Sequence, residues 1–506
     1  MPARTSTVPA VPTPLAQVEL SDLVRRGALR AAITGPADGE SQQVWLGPQA
    51  RELLGAAEPG DVTGKAGELY AVPGTKARTW LLGVGARRSV DWRTTGAVLA
   101  RAADDALDAA GATPAQRAIE LALPEDIDVA ELEALVLGLL LGGYRFTVTE
   151  RTPKIRLRTI RLRVPDASAG LRAAAARASV LAAASALTRD LANMPSDVKT
   201  PAWLADAATA VAQDVPGLTA TVRDEQWLAD NAFGGVLAVG GGSTRPPRLI
   251  ELTWRPRGAT GPHLVLVGKG ITFDTGGISL KRAPGMHLMR TDMAGGGAVI
   301  AALRAIAELR LPIKVTGLVP AAENHLSGSS YRPGDVVRHY GGTTTEVTNT
   351  DAEGRMVLAD GLGYAIKQHK ADLLVDVATL TGAMKITLGL RTGGLFASTD
   401  ELAKRVLDAG TEVGEAWWRL PLLESVRADL DSDIADVRQI GVAAHPGSIQ
   451  AALFLREFTA GLPWAHLDIA GPARAESTYA EVTPGASGFA ARTLVALAVS
   501  LVQRAG

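Results

Sequence analysis

Asn349-Thr350-Asp351-Ala352-Glu353-Gly354-Arg355 puts two carboxylates and an arginine within five residues, in a segment with too few apolar residues to be core. Upstream, Lys269, Asp274, Lys281 and Asp292 are spread along a Gly-rich stretch. The two segments together hold four acidic side chains and two lysines; the chain has no cysteine, and His287 is the only histidine near these motifs. Hard oxygen ligands gathered around a cleft suit one or two divalent cations. Two such ions can activate water and polarise a carbonyl.

Each motif also has a plainer reading. Lys269 beside Gly268 invites a phosphate loop, but a Gly-x4-Gly-Lys-Ser/Thr run is absent. Asp274-Thr275-Gly276 invites an aspartic protease, whose mechanism needs two carboxylates sharing a proton; a second Asp-Thr/Ser-Gly copy is missing. Asp292 precedes a helical pattern and could be its N-cap. Asp351 could cap the next one, with Glu353 adding favourable charge in its first turn. Capping leaves Arg355 unexplained, because a cation near a helix N-terminus opposes the dipole; a ligand or anion there would account for it. Met286, Met289 and Met293 read as core filler or as an adaptable pocket wall. His287 has no partner at metal-ligand spacing and reads as a surface or packing residue.

The elements that must carry these residues alternate strand and helix. The pattern predicts strands at His263–Val267, Ile313–Val319, Thr344–Val347, Leu373–Ala378 and Trp464–Ile469, and helices at Gly295–Leu309, Glu353–Lys367 and Gly488–Val502. That order favours a mixed sheet with helices on both faces, where sites collect in loops leaving the carboxyl ends of strands. Lys269 and Asp274 follow one such strand and Asp351 another. The first third is also α/β in pattern, with strands at Thr79–Val84, Ala118–Leu123 and Ile155–Val164 and helices at Thr95–Ala110 and Val129–Leu141. Gly83-Val84-Gly85 lacks the third glycine of a dinucleotide fingerprint and reads as a turn. Residues 1–18 read as a disordered lead-in, 19–167 as an N-terminal α/β domain, 168–192 as a connecting helix and 193–506 as the catalytic domain.

With 52 basic against 53 acidic residues, the net charge of −1 gives no bulk case for nucleic acid or an anionic membrane. The run Arg156, Arg158, Arg161 and Arg163 reads as a strand with one solvated face. Absent cysteine excludes disulfides and thiolate metal sites and suits a reducing compartment. The N-terminus has no apolar run after its basic start, and the apolar stretch at Leu135–Leu141 is too short to span a bilayer. A cytoplasmic protein is expected.

These motifs, with Asp190-Leu191-Ala192-Asn193-Met194-Pro195, Glu323-Asn324, Arg332-Pro333-Gly334-Asp335, Ala378-Thr379-Leu380-Thr381-Gly382-Ala383 and Trp464-Ala465-His466-Leu467-Asp468-Ile469-Ala470-Gly471, resemble the cytosolic leucine aminopeptidase family over roughly residues 185 to 500. The resemblance implies a smaller N-terminal α/β domain, a larger C-terminal catalytic α/β domain with a mixed central sheet, and a homohexamer built as a dimer of trimers. It also implies a metal-dependent aminopeptidase acting on peptides with a free N-terminus, through two divalent ions (Mn²⁺ or Zn²⁺, or Mg²⁺).

Carried over, the tighter metal site uses Lys269, Asp274, Asp292 and Glu353. The exchangeable site uses Asp274, Asp351 with its carbonyl, and Glu353. A lysine ligates only when neutral, which burial beside a dication allows. The catalytic residues implied are Lys281, which binds the developing oxyanion, and Arg355, which holds a bicarbonate acting as general base. Met289, Thr379, Gly382, Ala470 and Ala473 would line a side-chain pocket for Leu and Met. Arg282-Ala283, Gly296-Gly297 and Ala444-His445-Pro446-Gly447-Ser448-Ile449 depart from the family pattern without removing a ligand. The alternative is a DNA-binding architectural or regulatory protein on the same fold.

Overall fold

The computed structural model describes residues 11–21, 29–36, 45–55, 62–75, 78–148, 154–165, 167–441 and 447–502. It divides into two compact units, Met1–Ala186 with Glu476–Pro484, and Leu187–Ala475 with Gly485–Gly506. The helix Ala169–Asn193 contains the division at Ala186/Leu187.

The first unit is built on a seven-stranded sheet. Its strands are β1 (Gln17–Ser21), β2 (Leu29–Gly35), β3 (Trp45–Leu46), β4 (Leu69–Ala71), β5 (Thr79–Gly83), β6 (Ala118–Ala122) and β7 (Thr159–Arg163), in the order β1-β7-β6-β2-β5-β4 with β3 beside β2. The run from β1 to β5 is parallel, and β3 and β4 are antiparallel to their neighbours. β1 begins at Gln17, so Gln17 and Val18 are sheet residues rather than lead-in; residues 1–10 lie outside the described ones.

The helix Ser89–Ala109 starts six residues before the expected Thr95, and the Asp91 carboxylate accepts from the Arg88 amide at 3.1 Å at its start. It packs on the helix Val129–Gly142 backbone to backbone: a Cβ on Gly138 would come within 2.2 Å of the Arg93 carbonyl oxygen. β7 alternates buried Ile160 and Leu162 with partly exposed Thr159, Arg161 and Arg163; it is shorter than the expected Ile155–Val164, and Arg156 and Arg158 precede it.

The second unit holds the mixed sheet with flanking helices. Its strands are β8 (Leu218–Arg223), β9 (Arg248–Trp254), β10 (Leu264–Gly268), β11 (Gly270–Asp274), β12 (Val315–Asn324), β13 (Val336–Arg338), β14 (Thr344–Glu346), β15 (Leu373–Ala378), β16 (Thr392–Ala397), β17 (Ala416–Arg419), β18 (Val437–Arg438) and β19 (Trp464–Asp468). The nine-stranded sheet runs β17-β16-β19-β15-β10-β12-β9-β8, with β11 also on β12; β13, β14 and β18 form a separate three-stranded sheet. β12, β10, β15 and β19 are parallel, while β9 and β16 run antiparallel at either side. All five residues of β10 and all six of β15 are buried, as a parallel strand covered on both faces requires.

β12 is longer than the expected Ile313–Val319 and passes through Pro320. β10 pairs with Val315–Leu318 and β11 with Ala321–Asn324. Pro320 thus sits opposite the break between them, where its missing N–H costs no ladder bond on that side. The same break falls at Lys269, whose amide donates to the Val377 carbonyl at 3.0 Å.

Helix Glu353–Lys367 is anchored by Asp360, which is fully buried. Its carboxylate accepts from the amides of Val236 at 2.8 Å and Tyr340 at 2.9 Å and lies 2.9 Å from His339 Nδ1. Asp360→Ala strands one buried and one part-buried amide and should cost about 3 kcal/mol. The expected result is a lower denaturant midpoint with an unchanged m-value; an unmoved midpoint would remove this anchor from the account.

Candidate active site

Four carboxylates and two ammonium groups converge at the carboxyl ends of the parallel strands. Lys269 follows β10, Asp274 ends β11, and Thr379 follows β15. Asp292 leaves the short 3-10 turn Met286–Thr291, and Glu353 is the first residue of its helix. Neither Asp292 nor Asp351 is a helix N-cap: those positions belong to Met293 and Ala352, and neither helix has a side-chain cap bond. Their carboxylates point elsewhere.

Lys269 Nζ lies 2.8 Å from Asp292 and 2.7 Å from Glu353, and donates to the Thr379 carbonyl at 3.0 Å. Lys281 Nζ lies 2.7 Å from Asp274 and also pairs closely with Asp351. Oxygen atoms of Asp274, Asp351 and Glu353 all fall within 4.8 Å of one another. The site therefore has two ends. Lys269, Glu353 and Asp292 form a buried floor, with side-chain exposures of 3%, 2% and 8%, whereas Asp351 is 33% exposed and Lys281 22%.

Burial and mutual repulsion crowd these acids. Burial, then the Glu353 charge, pushes the Asp274 carboxyl up to about 6, against the pull of both lysines. Burial also raises Asp292 and Glu353, with Lys269 opposing. For Lys269 burial disfavours the ammonium, but Asp292, Glu353 and Asp274 outweigh it and hold the group above the ordinary lysine range. Lys281 is raised in the same way, chiefly by Asp274.

Glu353 Oε2 is buried with no hydrogen-bond partner. An orphaned carboxylate oxygen beside two more acids is a donor set that fits a divalent cation.

Several residues hold this array in place. Asn324 Nδ2 donates to Asp274 Oδ1 at 2.8 Å and to the Thr350 carbonyl at 3.0 Å. Tyr331 donates to the same carbonyl at 2.9 Å. Thr379 Oγ1 donates to Asp292 Oδ1 at 2.8 Å, so this expected pocket residue also orients a ligand candidate. Gln439 Oε1 accepts from the amides of Thr348 and Asn349 at 3.1 and 3.0 Å, and its Nε2 donates to the Ala352 carbonyl at 3.1 Å. A lone glutamine in a loop carries no sequence signal for that role.

Gly276, at φ +86°, shows why the stretch is Gly-rich: a Cβ there would stand 2.5 Å from the Ser279 carbonyl and 2.8 Å from Asp351 Oδ1. Asp274 shares its surroundings with two lysines, not with a second Asp-Thr-Gly segment.

Arg355 is buried, donates from Nη1 to the Gln439 carbonyl at 2.7 Å, and has an Nε without a partner. Burial pulls its guanidinium down to about 10.

Of the remaining expected pocket residues, Met289 and Ala470 are half-buried, Gly382 is exposed and Ala473 is buried. Asp468 ties two of their segments together, accepting from Leu380 N at 3.2 Å, Thr381 Oγ1 at 2.6 Å and Ala470 N at 3.1 Å. His287 is exposed and Met293 is core. Of the departure at 444–449, residues 444–446 lie outside the described ones, while Gly447–Ile449 open the helix Gly447–Arg456.

Residues 186–495 match the model of the cytosol aminopeptidase family, catalytic domain. A protein of Roseiflexus castenholzii named "Probable cytosol aminopeptidase" is 42% identical over 462 residues, 87% of this chain and 91% of that one. A protein of the same name from Micrococcus luteus is 42% identical over 468 residues, 88% and 89% of the two chains. Among solved structures, the bottromycin maturation enzyme BotP in complex with Mn is similar at a TM-score of 0.81 and 38% identity, covering 94% of this chain and all of that one. With a carboxylate–lysine array at its sheet ends and a family match over more than half its length, this chain belongs to the cytosol aminopeptidase family, hydrolases of the leucyl aminopeptidase type.

Proposed function

We propose that the chain is a two-metal aminopeptidase that releases apolar N-terminal residues, Leu among them, from peptides. The observation that carries this reading is the three-carboxylate cluster of Asp274, Asp351 and Glu353, with oxygens within 4.8 Å, flanked by two lysines. Lys269, Asp274, Asp292 and Glu353 would hold one divalent ion; Asp274, Asp351 with its carbonyl, and Glu353 would hold the other. The difference in burial between the two ends supports a tighter site at Lys269 and a more exchangeable one at Asp351. Mn²⁺, Zn²⁺ and Mg²⁺ all suit the donor set, and the BotP relative is a complex with Mn. When bound, such ions supply a nucleophilic water and polarise the scissile carbonyl.

The chain's own residues do the rest. Lys281 stays protonated and donates to the developing oxyanion. Arg355, buried with a free Nε, would hold a bicarbonate as the site's proton acceptor. The Lys269–Asp292 end receives the substrate's free α-amine, which restricts cleavage to N-terminal residues. Met289, Thr379, Gly382, Ala470 and Ala473 line the pocket for the departing residue's side chain. We assign the protein to the cytoplasm, as its relatives are named, and to a homohexameric assembly. No helix among the described residues is long and apolar enough to cross a membrane. The DNA-binding alternative has no support among these relatives.

The test is hydrolysis of leucine anilide and of its N-acetylated form at mildly alkaline pH, with Mn²⁺, with Zn²⁺ and after exhaustive chelation. The expected result is cleavage of the free-amine substrate only, lost on chelation and restored by metal. Chelator-resistant turnover, or cleavage of the blocked substrate, would overturn the proposal.

A further inference from the structure

The chemistry above leaves one strongly charged cleft unused. It lies in the first unit, has a volume of about 730 Å³, and is lined by Arg117, Arg145, Lys154, Arg156 and Arg158 among others. Its position comes from the sheet. Arg117 and Arg158 immediately precede β6 and β7, neighbouring parallel strands whose first residues, Ala118 and Thr159, pair in register. The Arg117 carbonyl accepts from the amides of Arg158 at 2.8 Å and Thr159 at 3.2 Å. On the other side, the Arg158 carbonyl accepts from Gln17 at 2.8 Å. Both arginines are therefore presented side by side from ladder-bonded backbone at the amino end of the sheet.

The carboxylates nearby offset the group only in part. Asp104 and Asp108 each commit an oxygen to a backbone amide, those of Leu157 and Ile155, at 2.8 Å. Asp105 is shared by two of the cations, as a long ion pair 3.7 Å from Arg145 and 3.9 Å from Lys154. Five cations face three acids. Among the described residues, neither Arg117 nor Arg158 has an ion-pair partner, and Arg117 Nε is buried without any hydrogen-bond partner. A guanidinium donor left unmatched inside a cleft is costly unless an acceptor arrives. Phosphate oxygens match the guanidinium fork in both charge and spacing. The volume is that of a small-molecule site rather than a groove for a duplex.

We propose that this cleft binds a small phosphate-bearing polyanion, its phosphate groups held between Arg117 and Arg158.

Isothermal titration calorimetry with inorganic pyrophosphate at fixed ionic strength tests it, beside a short DNA duplex as the second probe. Pyrophosphate would also meet bound metal in the catalytic unit, so the readout is the difference between wild type and variants. Wild type should bind pyrophosphate at the cleft, and Arg117→Gln and Arg158→Gln should each weaken that binding about ten-fold or more. Turnover of leucine anilide should stay unchanged in both. Should Arg117→Gln fail to fold, Arg158→Gln and Lys154→Gln, both at exposed positions, carry the comparison. Equal pyrophosphate affinity in wild type and variants overturns the proposal, as does the absence of binding. Tight binding of the duplex without pyrophosphate binding overturns it in favour of nucleic acid.

Discussion

Glu353→Gln is expected to lower kcat on leucine anilide by on the order of 10³-fold or more, and to lower the metal bound per chain as well. Glu353 is the one carboxylate proposed for both ions that also reaches the buried floor, 2.7 Å from Lys269. Its second oxygen has no protein partner. Glutamine keeps the shape and takes away the charge, so the loss reports on ligation rather than packing. Metal ions contribute several kcal/mol of transition-state stabilisation, and each 1.4 kcal/mol is about ten-fold in rate. Elemental analysis alongside steady-state kinetics makes the check. Full metal content with near-normal kcat would sink the ligand assignment.

Lys281→Met should behave differently: kcat falls about 10²- to 10³-fold while metal content is kept. Lys281 touches Asp274 and Asp351, both proposed as ligands. Two roles are therefore open to it. As an oxyanion donor it acts in the transition state, so its loss lowers kcat with little change in KM. As a mere counter-ion it keeps the two carboxylates from repelling each other, and its loss lowers metal content together with activity. A parallel fall in metal and kcat would reject the oxyanion role. The variant should also melt lower in chelator than with metal, since only a cation then separates Asp274 from Asp351.

What could be read from the sequence alone was short-range or chemical. Helix Glu353–Lys367 and strand β15 have the bounds their patterns predict, because period and propensity act within a few residues. The ligand types were legible too: carboxylates and lysines in Gly-rich loops after buried strands are unusual wherever they occur. Pattern failed where a distant contact set the local choice. β16 contains Gly393-Gly394 and does not read as a strand, yet it is one because it pairs with β17 and β19, and the glycines are there because a Cβ at either would meet Trp417 or Met384 at 2.4 Å.

The same limit applies to the site. Asp292 and Asp351 look like caps in sequence and are not, because Lys269 and Lys281 offer their carboxylates a better partner than a helix amide. Gln439 clamps the Thr348–Ala352 loop from about 90 residues away, and Asn324 joins Asp274 to Thr350 across two loops. The sequence by itself determined which functional groups are present and that they leave strand ends. Tertiary structure alone decided how they share charge: which acid meets which lysine, which oxygen is left over, and which end is open to water. That division has a physical cause. Burial and Coulomb energy depend on distances between groups far apart in the chain, and those distances exist only once the sheet has brought β10, β11, β12 and β15 together.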